Sequence, residues 1–346
     1  QSVRKYAYAT LMYGNQMVCG WTWQTMHGGE EQYFLGLMDW DGQLSRRYYE
    51  YKQIAEEFNK IASYFPYKVN AEVGLAYSFP SQIASRYYPV QHDTQLQNSF
   101  ELFLNKNMDV KILDINRSQL DYKLLILPGL AVMEKKTADK IKEYVENGGT
   151  VIMTAHSAVL EENGQVFTTI QPGYLSDIFG IRIGSFEETK NMNEISRLSY
   201  SGDKLLINYQ DKNMEVEAGR YDVIEARGAE VVGKITSLDK DYPIITSHSY
   251  GKGRAIFIGL PASSTILEPV VDELIEKLSI KKGPEVPDGI MARKIDDNHL
   301  LMLNLTNKAQ KVNIGGEAYS ILRERKYNGN IEIGPQEPEF VELKNR

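Results

Sequence analysis

The chain has 346 residues, enough for two or three domains, and its 42% hydrophobic and 25% charged residues form an ordinary globular balance that excludes wholesale disorder. A formal net charge of −7 argues against a broad electrostatic grip on nucleic acid, and a single cysteine, Cys19, excludes an intrachain disulfide and a cysteine-rich zinc site. No apolar run approaches the ~18 residues of a spanning helix, so no membrane partner is expected. Gln1 is not an initiator methionine and no signal-peptide pattern follows it, so the chain reads as a piece of a longer one whose N-terminus does not give its compartment; a cytoplasmic location is the default expectation. His92, His248 and His299 are scattered, and neither a metal nor a cofactor is expected.

Residues 2–16 have helical character, with Val3, Tyr6, Ala7, Leu11 and Tyr13 toward one side. Residues 17–23, MVCGWTW, read as a strand, and a loop rich in glycine and acid follows. From residue 45 to about residue 64 the chain is again helical, with Tyr48, Tyr51, Ile54, Ala55, Phe58 and Ile61 as the apolar stripe. One strand cannot bury two helices, so residues 1–65 read as the closing part of a larger α/β body, most simply a barrel.

The strongest pattern lies at mid-chain, in residues 122–155. Leu124-Leu-Ile-Leu127 is wholly apolar, as a strand buried on both faces of a parallel sheet must be. Ala138, Ile141, Tyr144 and Val145 then recur at helical spacing, Gly148-Gly149 ends that helix, and Thr150-Val-Ile-Met-Thr154 is the next buried strand. Strand, helix and strand make a right-handed βαβ unit of an open sheet. Before it come a strand at residues 72–77, a helix at 94–107 and a strand at 110–113; after it come short strands from 205 to 258, with Tyr250-Gly-Lys-Gly253 as a hairpin turn, and a helix at 268–278. The last ~60 residues alternate apolar and polar, predicting a small antiparallel β domain.

These segments carry a family likeness. DYKLLILPGLAVMEKKTADKIKEYVENGGTVIMTAHSA, then PGYLSDIFGIRI and YGKGRAIFIG, resemble the trimerisation domain of family 42 β-galactosidases. The opening resembles the end of that family's catalytic barrel and the tail resembles its C-terminal β domain. The resemblance implies three parts. Residues 1–65 would end a (β/α)8 barrel, residues 66–282 would form a flavodoxin-like, class I glutamine amidotransferase-like α/β domain, and residues 283–346 would form a small antiparallel β domain. It also implies a homotrimer and a β-galactoside or related oligosaccharide as substrate.

By the same likeness, Trp23 in Gly20-Trp-Thr-Trp23 lines the galactose subsite and Glu31 hydrogen-bonds the sugar hydroxyls. The family's usual histidine falls at Phe34, where a phenyl ring replaces an imidazole donor or acceptor, so the match to a galactose-specific pocket breaks there. Trp21, on the same side of a regular strand as Trp23, and His27 are pocket neighbours. Asp39 and Trp40 approach the mouth, while Asp41-Gly42 is more simply a turn. Such enzymes retain configuration through two carboxyls roughly 5–5.5 Å apart. The family places both before Gln1, so no catalytic residue is assigned in this chain.

Two other readings fit parts of the chain. One is a non-catalytic oligomerisation or carbohydrate-binding protein that keeps the trimerisation fold. The other is an amidotransferase-like hydrolase using His156-Ser157, which lacks the cysteine such chemistry needs and any evident acid partner. Gly251-Lys-Gly253 is too short for a phosphate loop, and Asn116-Arg-Ser118 and Asn304-Leu-Thr306 are chance-level glycosylation patterns.

Overall fold

The computed structural model describes residues 2–32, 34–87, 91–188, 203–236 and 241–344. Helices α1 (Ser2–Leu11) and α2 (Arg46–Ile61) come first. They are followed by β1 (Val73–Tyr77), α3 (Phe79–Ala84), α4 (His92–Asn105), β2 (Val110–Asp114), β3 (Leu124–Leu127), α5 (Lys135–Glu146) and β4 (Thr150–Thr154). A long excursion carries α6 (Ser176–Phe179), β5 (Ile181–Glu188), β6 (Asp203–Tyr209), β7 (Lys212–Ala218), β8 (Arg220–Ala226), β9 (Glu230–Thr236) and β10 (Asp241–Tyr250). Then come β11 (Gly253–Ile258), α7 (Ser264–Lys277), β12 (Ile290–Lys294), β13 (His299–Asn304), β14 (Gln310–Ser320), β15 (Arg325–Ile333) and β16 (Pro338–Leu343). The fold is α/β with a large mixed sheet.

The chain divides into two compact units, one of residues 71–103 and 109–281, the other of residues 1–70, 104–108 and 282–346. In the first unit a nine-stranded sheet runs in the order β2-β1-β3-β4-β11-β10-β9-β6-β7. The first five strands are parallel and the last four join by antiparallel pairing. Every residue of β3 and β4 is buried, as their unbroken apolar runs demand. Helix α5 covers one face through Ala138, Ile141 and Val145, all fully buried. Its charged residues fall on the other side, which is why the spacing could be read from sequence. The excursion between β4 and β11 adds the antiparallel wing and a separate ribbon in which β5 pairs β8.

In the second unit β12–β16 form an antiparallel sheet of order β12-β13-β16-β14-β15. Its apolar side chains Met291, Leu301, Leu303 and Phe340 share one cluster with Tyr8, Leu11 and Met12, from and just beyond α1, and with Ile61 of α2. Glu57 ties the two helices together, accepting from Arg4 Nε at 2.9 Å and Nη2 at 2.6 Å and from Tyr8 Oη at 2.9 Å. Within the sheet the fully buried Glu339 accepts from Ser320 Oγ at 2.6 Å and Tyr327 Oη at 2.9 Å, with Arg323 Nε at 3.1 Å. That pairing gives a carboxylate withdrawn from water its hydrogen-bond partners.

The strand expected over residues 17–23 does not form. Strands persist only with neighbours along their edges, and among the described residues this segment's ladder contact is an isolated bridge, Gln24 to Met38. α3, α6, β5, β7 and β12 are not among the expected elements; β7 is too polar to alternate clearly, and β12 follows closely on the expected linker.

The predicted hairpin turn joins β10 to β11, pairing Tyr250 with Gly253. It presses on the end of α5, where Lys252 N donates to Glu146 O at 2.9 Å and Arg254 N to Gly149 O at 3.1 Å. A Cβ on Gly253 would lie 2.2 Å from Val145 O and 2.3 Å from Gly149 O, both backbone atoms fixed by the helix end. Gly253→Ala is expected to destabilise the chain by about 2–3 kcal/mol, whereas Gly316→Ala, with open space around it, should stay within about 0.5 kcal/mol. Urea unfolding of both variants checks this.

Candidate functional site

The aromatic loop at residues 17–49 is held by its backbone. Leu37 N donates to Thr22 O at 3.1 Å, Met38 N to Trp23 O at 2.9 Å, and Thr25 N to Met38 O at 3.0 Å. The buried Thr25 hydroxyl donates to Met38 O at 2.7 Å and accepts from Gly36 N at 2.9 Å. Arg47 Nε donates to Gly36 O at 2.7 Å, and its Nη2 reaches Asp39 Oδ1 at 3.3 Å. Gly36 crosses so close to the outgoing strand of the loop that a Cβ would sit 2.6 Å from the Gln24 carbonyl carbon. Ser45 caps α2 by accepting from Arg47 N at 3.2 Å. Asp41 Oδ1 accepts from Gln43 N at 3.1 Å, and Asp39 N bonds Gln43 O at 2.8 Å, so Asp41-Gly42 forms a turn.

On this frame the large rings face outward. Trp21 is 72% exposed, Trp23 60%, Phe34 55% and Trp40 52%. Trp23 meets Tyr48 of α2 edge-on, with centroids 6.4 Å apart. Glu31 is half-buried, and its carbonyl accepts from Phe34 N at 2.9 Å, so the two share one tight turn. His27 is exposed, its Nε2 3.5 Å from Gln24 Nε2. Sequence reading placed Tyr48 in the helix stripe and passed over Thr25, Gly36 and Arg47. Their roles depend on a chain crossing that no periodicity reports.

The other place to look for chemistry is the C-terminal edge of the parallel strands, where open α/β sheets bind ligands. Here side chains fill it. His92, fully buried, donates from Nδ1 to Pro128 O at 2.7 Å and accepts at Nε2 from Ser78 N at 3.1 Å, a pairing that fits only the neutral ring. Burial holds its pKa below the usual histidine range. Gln95 accepts from Thr154 Oγ1 at 2.7 Å and Ala262 N at 2.9 Å. Ser157 accepts from Leu130 N at 2.9 Å and donates to Leu127 O at 3.3 Å. A hydroxyl so engaged and fully buried is no nucleophile. His156 follows β4 with φ +66°, and its main-chain N–H, not its ring, meets Asp222 Oδ2 at 3.3 Å. Burial pushes the Asp222 carboxyl up to about 6, while Arg220 and the His156 N–H pull it the other way.

Among the described residues no group of three or more His, Cys, Asp or Glu could hold a metal ion, and no helix is long and apolar enough to cross a membrane. Of the two glycosylation patterns, Asn304 is buried with Nδ2 donating to Lys308 O, Ile333 O and Gly334 O, and Asn116 Oδ1 accepts from Thr137 Oγ1 at 2.8 Å. A groove of about 660 Å³ runs along the opposite, N-terminal edge of β3 and β4. There Tyr144 Oη is held between Tyr122 O and Thr150 O, each at 3.0 Å.

The model of the β-galactosidase trimerisation domain matches residues 71–281, more than half of the chain and the whole of the nine-stranded unit. The chain belongs to glycoside hydrolase family 42. The β-galactosidase LacZ of Heyndrickxia coagulans is 23% identical over 99% of this family 42 chain and 51% of its own length. BgaB of a Geobacillus species is 24% identical over 87% and 45%. Among solved structures, Gan42B, a family 42 β-galactosidase from G. stearothermophilus, superposes with a TM-score of 0.86 at 22% identity, over 99% of this chain and 50% of that one. The β-galactosidase of Bacillus circulans sp. alkalophilus gives 0.86 at 18%, over 99% and 52%. The chain therefore spans about half the length of the curated relatives it matches.

Asp222 and His92 give this family 42 chain opposing pH trends. Between about pH 4 and pH 6 the folded chain keeps a proton on Asp222 that the unfolded chain has lost, so stability falls as pH rises through that window. Below about pH 6.5 the unfolded chain gains a proton on His92 that the folded chain resists, so stability falls as pH drops. Asp222→Asn should tilt the urea-unfolding free energy upward with pH by roughly 3 kcal/mol relative to the unsubstituted chain. His92→Gln should tilt it downward. Parallel profiles for all three proteins would remove both assignments.

Proposed function

We propose that this chain is the C-terminal part of a retaining β-galactosidase that hydrolyses terminal β-D-galactosides. In this reading residues 1–65 close a (β/α)8 barrel, residues 66–282 are the flavodoxin-like, amidotransferase-like trimerisation domain, and residues 283–346 are a small β cap. The parallel strand order β2-β1-β3-β4-β11 supports the flavodoxin-like part, since 2-1-3-4-5 is one of the two common doubly wound orders. The catalytic carboxyls belong to sequence outside this chain. The protein assembles as a homotrimer, as the family model's description suggests.

The observation that carries the sugar-binding part of the reading is the pinned loop with outward rings. Trp21, Trp23 and Phe34 are each more than half exposed on a backbone fixed by Thr25, Gly36 and Arg47. Flat, rigid indole faces suit the C–H face of a pyranose, and the half-buried Glu31, which shares a turn with Phe34, suits its hydroxyls. Trp23 would stack on the sugar, Glu31 would accept from its hydroxyls, and Trp21, His27 and Phe34 would be neighbours. With Phe34 in place of a polar ring, one hydroxyl loses a partner, so the pocket should discriminate less between galactose and its epimers.

The test uses the product of the full natural gene with a nitrophenyl β-galactoside. Trp23→Ala and Glu31→Gln should each lower kcat/KM by roughly 10- to 100-fold, equivalent to about 1.4–3 kcal/mol of lost binding in the transition state. Phe34→His should sharpen the preference for galactoside over the matching glucoside. Sugar binding without hydrolysis in the unsubstituted protein would favour the non-catalytic carbohydrate-binding reading. Unchanged kcat/KM in both variants would overturn the assignment of Trp23 and Glu31.

A further inference from the structure

Helix α3 is packed inside out. On its inner side Ser81 and Ala84 are buried, Ala84 in a small cluster with Ala131, Val132 and Leu160. The bonds Arg86 N to Ile83 O and Tyr87 N to Ala84 O continue the turn to Tyr87. Phe79, Ile83 and Tyr87 are thus four residues apart and stacked on one face. They point outward, 59%, 44% and 75% exposed. An ordinary surface helix hides its large apolar residues and shows small or polar ones; this one does the reverse.

Residues 79–87 carry a single charge, Arg86. At this edge of the sheet His92, Gln95, Ser81 and Ser157 fill the space beyond the strand ends with bonds to the backbone. A charge-poor apolar face over a filled interior suits a protein partner rather than a small ligand.

We propose that the face built by Phe79, Ile83 and Tyr87 is where the nine-stranded unit docks a second copy of this chain. The identity of the occupant rests on the trimer reading above: the face lies wholly within residues 71–281, the span matched by the trimerisation model. In a closed ring of three the contact is heterologous, so this face of each subunit meets a different patch on the next one.

The test is light scattering of the full natural gene product over a dilution series. The unsubstituted protein and Leu206→Glu, which alters an exposed apolar residue of β6, should run as trimers. Ile83→Glu combined with Tyr87→Glu should shift the monomer–trimer midpoint at least 100-fold higher in concentration, with unchanged far-ultraviolet circular dichroism. A separate measurement avoids any folding defect. A photoreactive benzoylphenylalanine at position 87 should give crosslinked species at two and three times the chain mass. A monomeric unsubstituted protein would overturn the trimer reading and this inference together. A trimer that survives the double substitution and gives no crosslink from position 87 would overturn this inference alone. Dissociation of the Leu206→Glu control to the same extent would also overturn it, since the effect would not belong to this face.

Discussion

Burial of β3 and β4 on both faces is the constraint on which the larger unit depends. Strands with no solvent-facing side must have cover above and below, and in a parallel sheet the crossover connections supply that cover. Helix α5 does so on one side with three fully buried residues. Once β3 and β4 are fixed, β1 and β2 extend the parallel set on one flank and β11 on the other. The free edge of β11 then accepts β10 through the two-residue hairpin, and the antiparallel wing grows from there. The hairpin works only because Gly251 and Gly253 let it lie against the end of α5, where any side chain would strike backbone oxygens.

The same topology leaves carbonyl and amide groups at the C-terminal ends of the parallel strands. Enzymes of this architecture keep a crevice there and let ligand or water satisfy those groups. In this chain His92, Gln95, Ser81 and Ser157 do it from within, each bonded to the main chain of a neighbouring loop. Filling the crevice removes a place for chemistry and gives a rigid edge. The neutral state of His92 and the raised pKa of Asp222 are consequences of that filling, since both groups are withdrawn from water. Such an edge is a scaffold on which an apolar exterior can be displayed, and α3 displays one.

The sequence made some of this legible and not the rest, for physical reasons. Residues 124–154 were readable because each residue's environment follows from local period alone. The unbroken apolar run, the 3.6-residue spacing and the paired glycines became β3, α5, the turn and β4 within a residue or two. Residues 17–45 were not readable, because their order comes from a chain crossing. Thr25 reaches Met38, Arg47 reaches Gly36, and neither pairing has a periodic signature. Helix α3 is not among the elements read from the sequence: Phe79, Ile83 and Tyr87 have the spacing of a core face, and only the fold shows that the core lies on the side of Ala84. The burial of α1 and α2 against β12, β13 and β16 joins residues more than 200 positions apart, which pattern alone cannot pair.

The two exposed apolar regions therefore have different physical meanings. On α3 the backbone is a regular helix, and the large side chains are exposed because the inner face accepts only small ones. In residues 17–49 the backbone is irregular and is held by a buried threonine, a glycine at a close crossing and an arginine bonded to a carbonyl. A loop held by these hydrogen bonds keeps its ring faces outward in this chain. Its ring faces are set in advance, so a partner or ligand that meets them loses little entropy in ordering the site. That preorganisation is what the proposed stacking of a sugar on Trp23 requires, and it also explains why Gly36, which touches no ligand in that proposal, is as important to it as the ring itself.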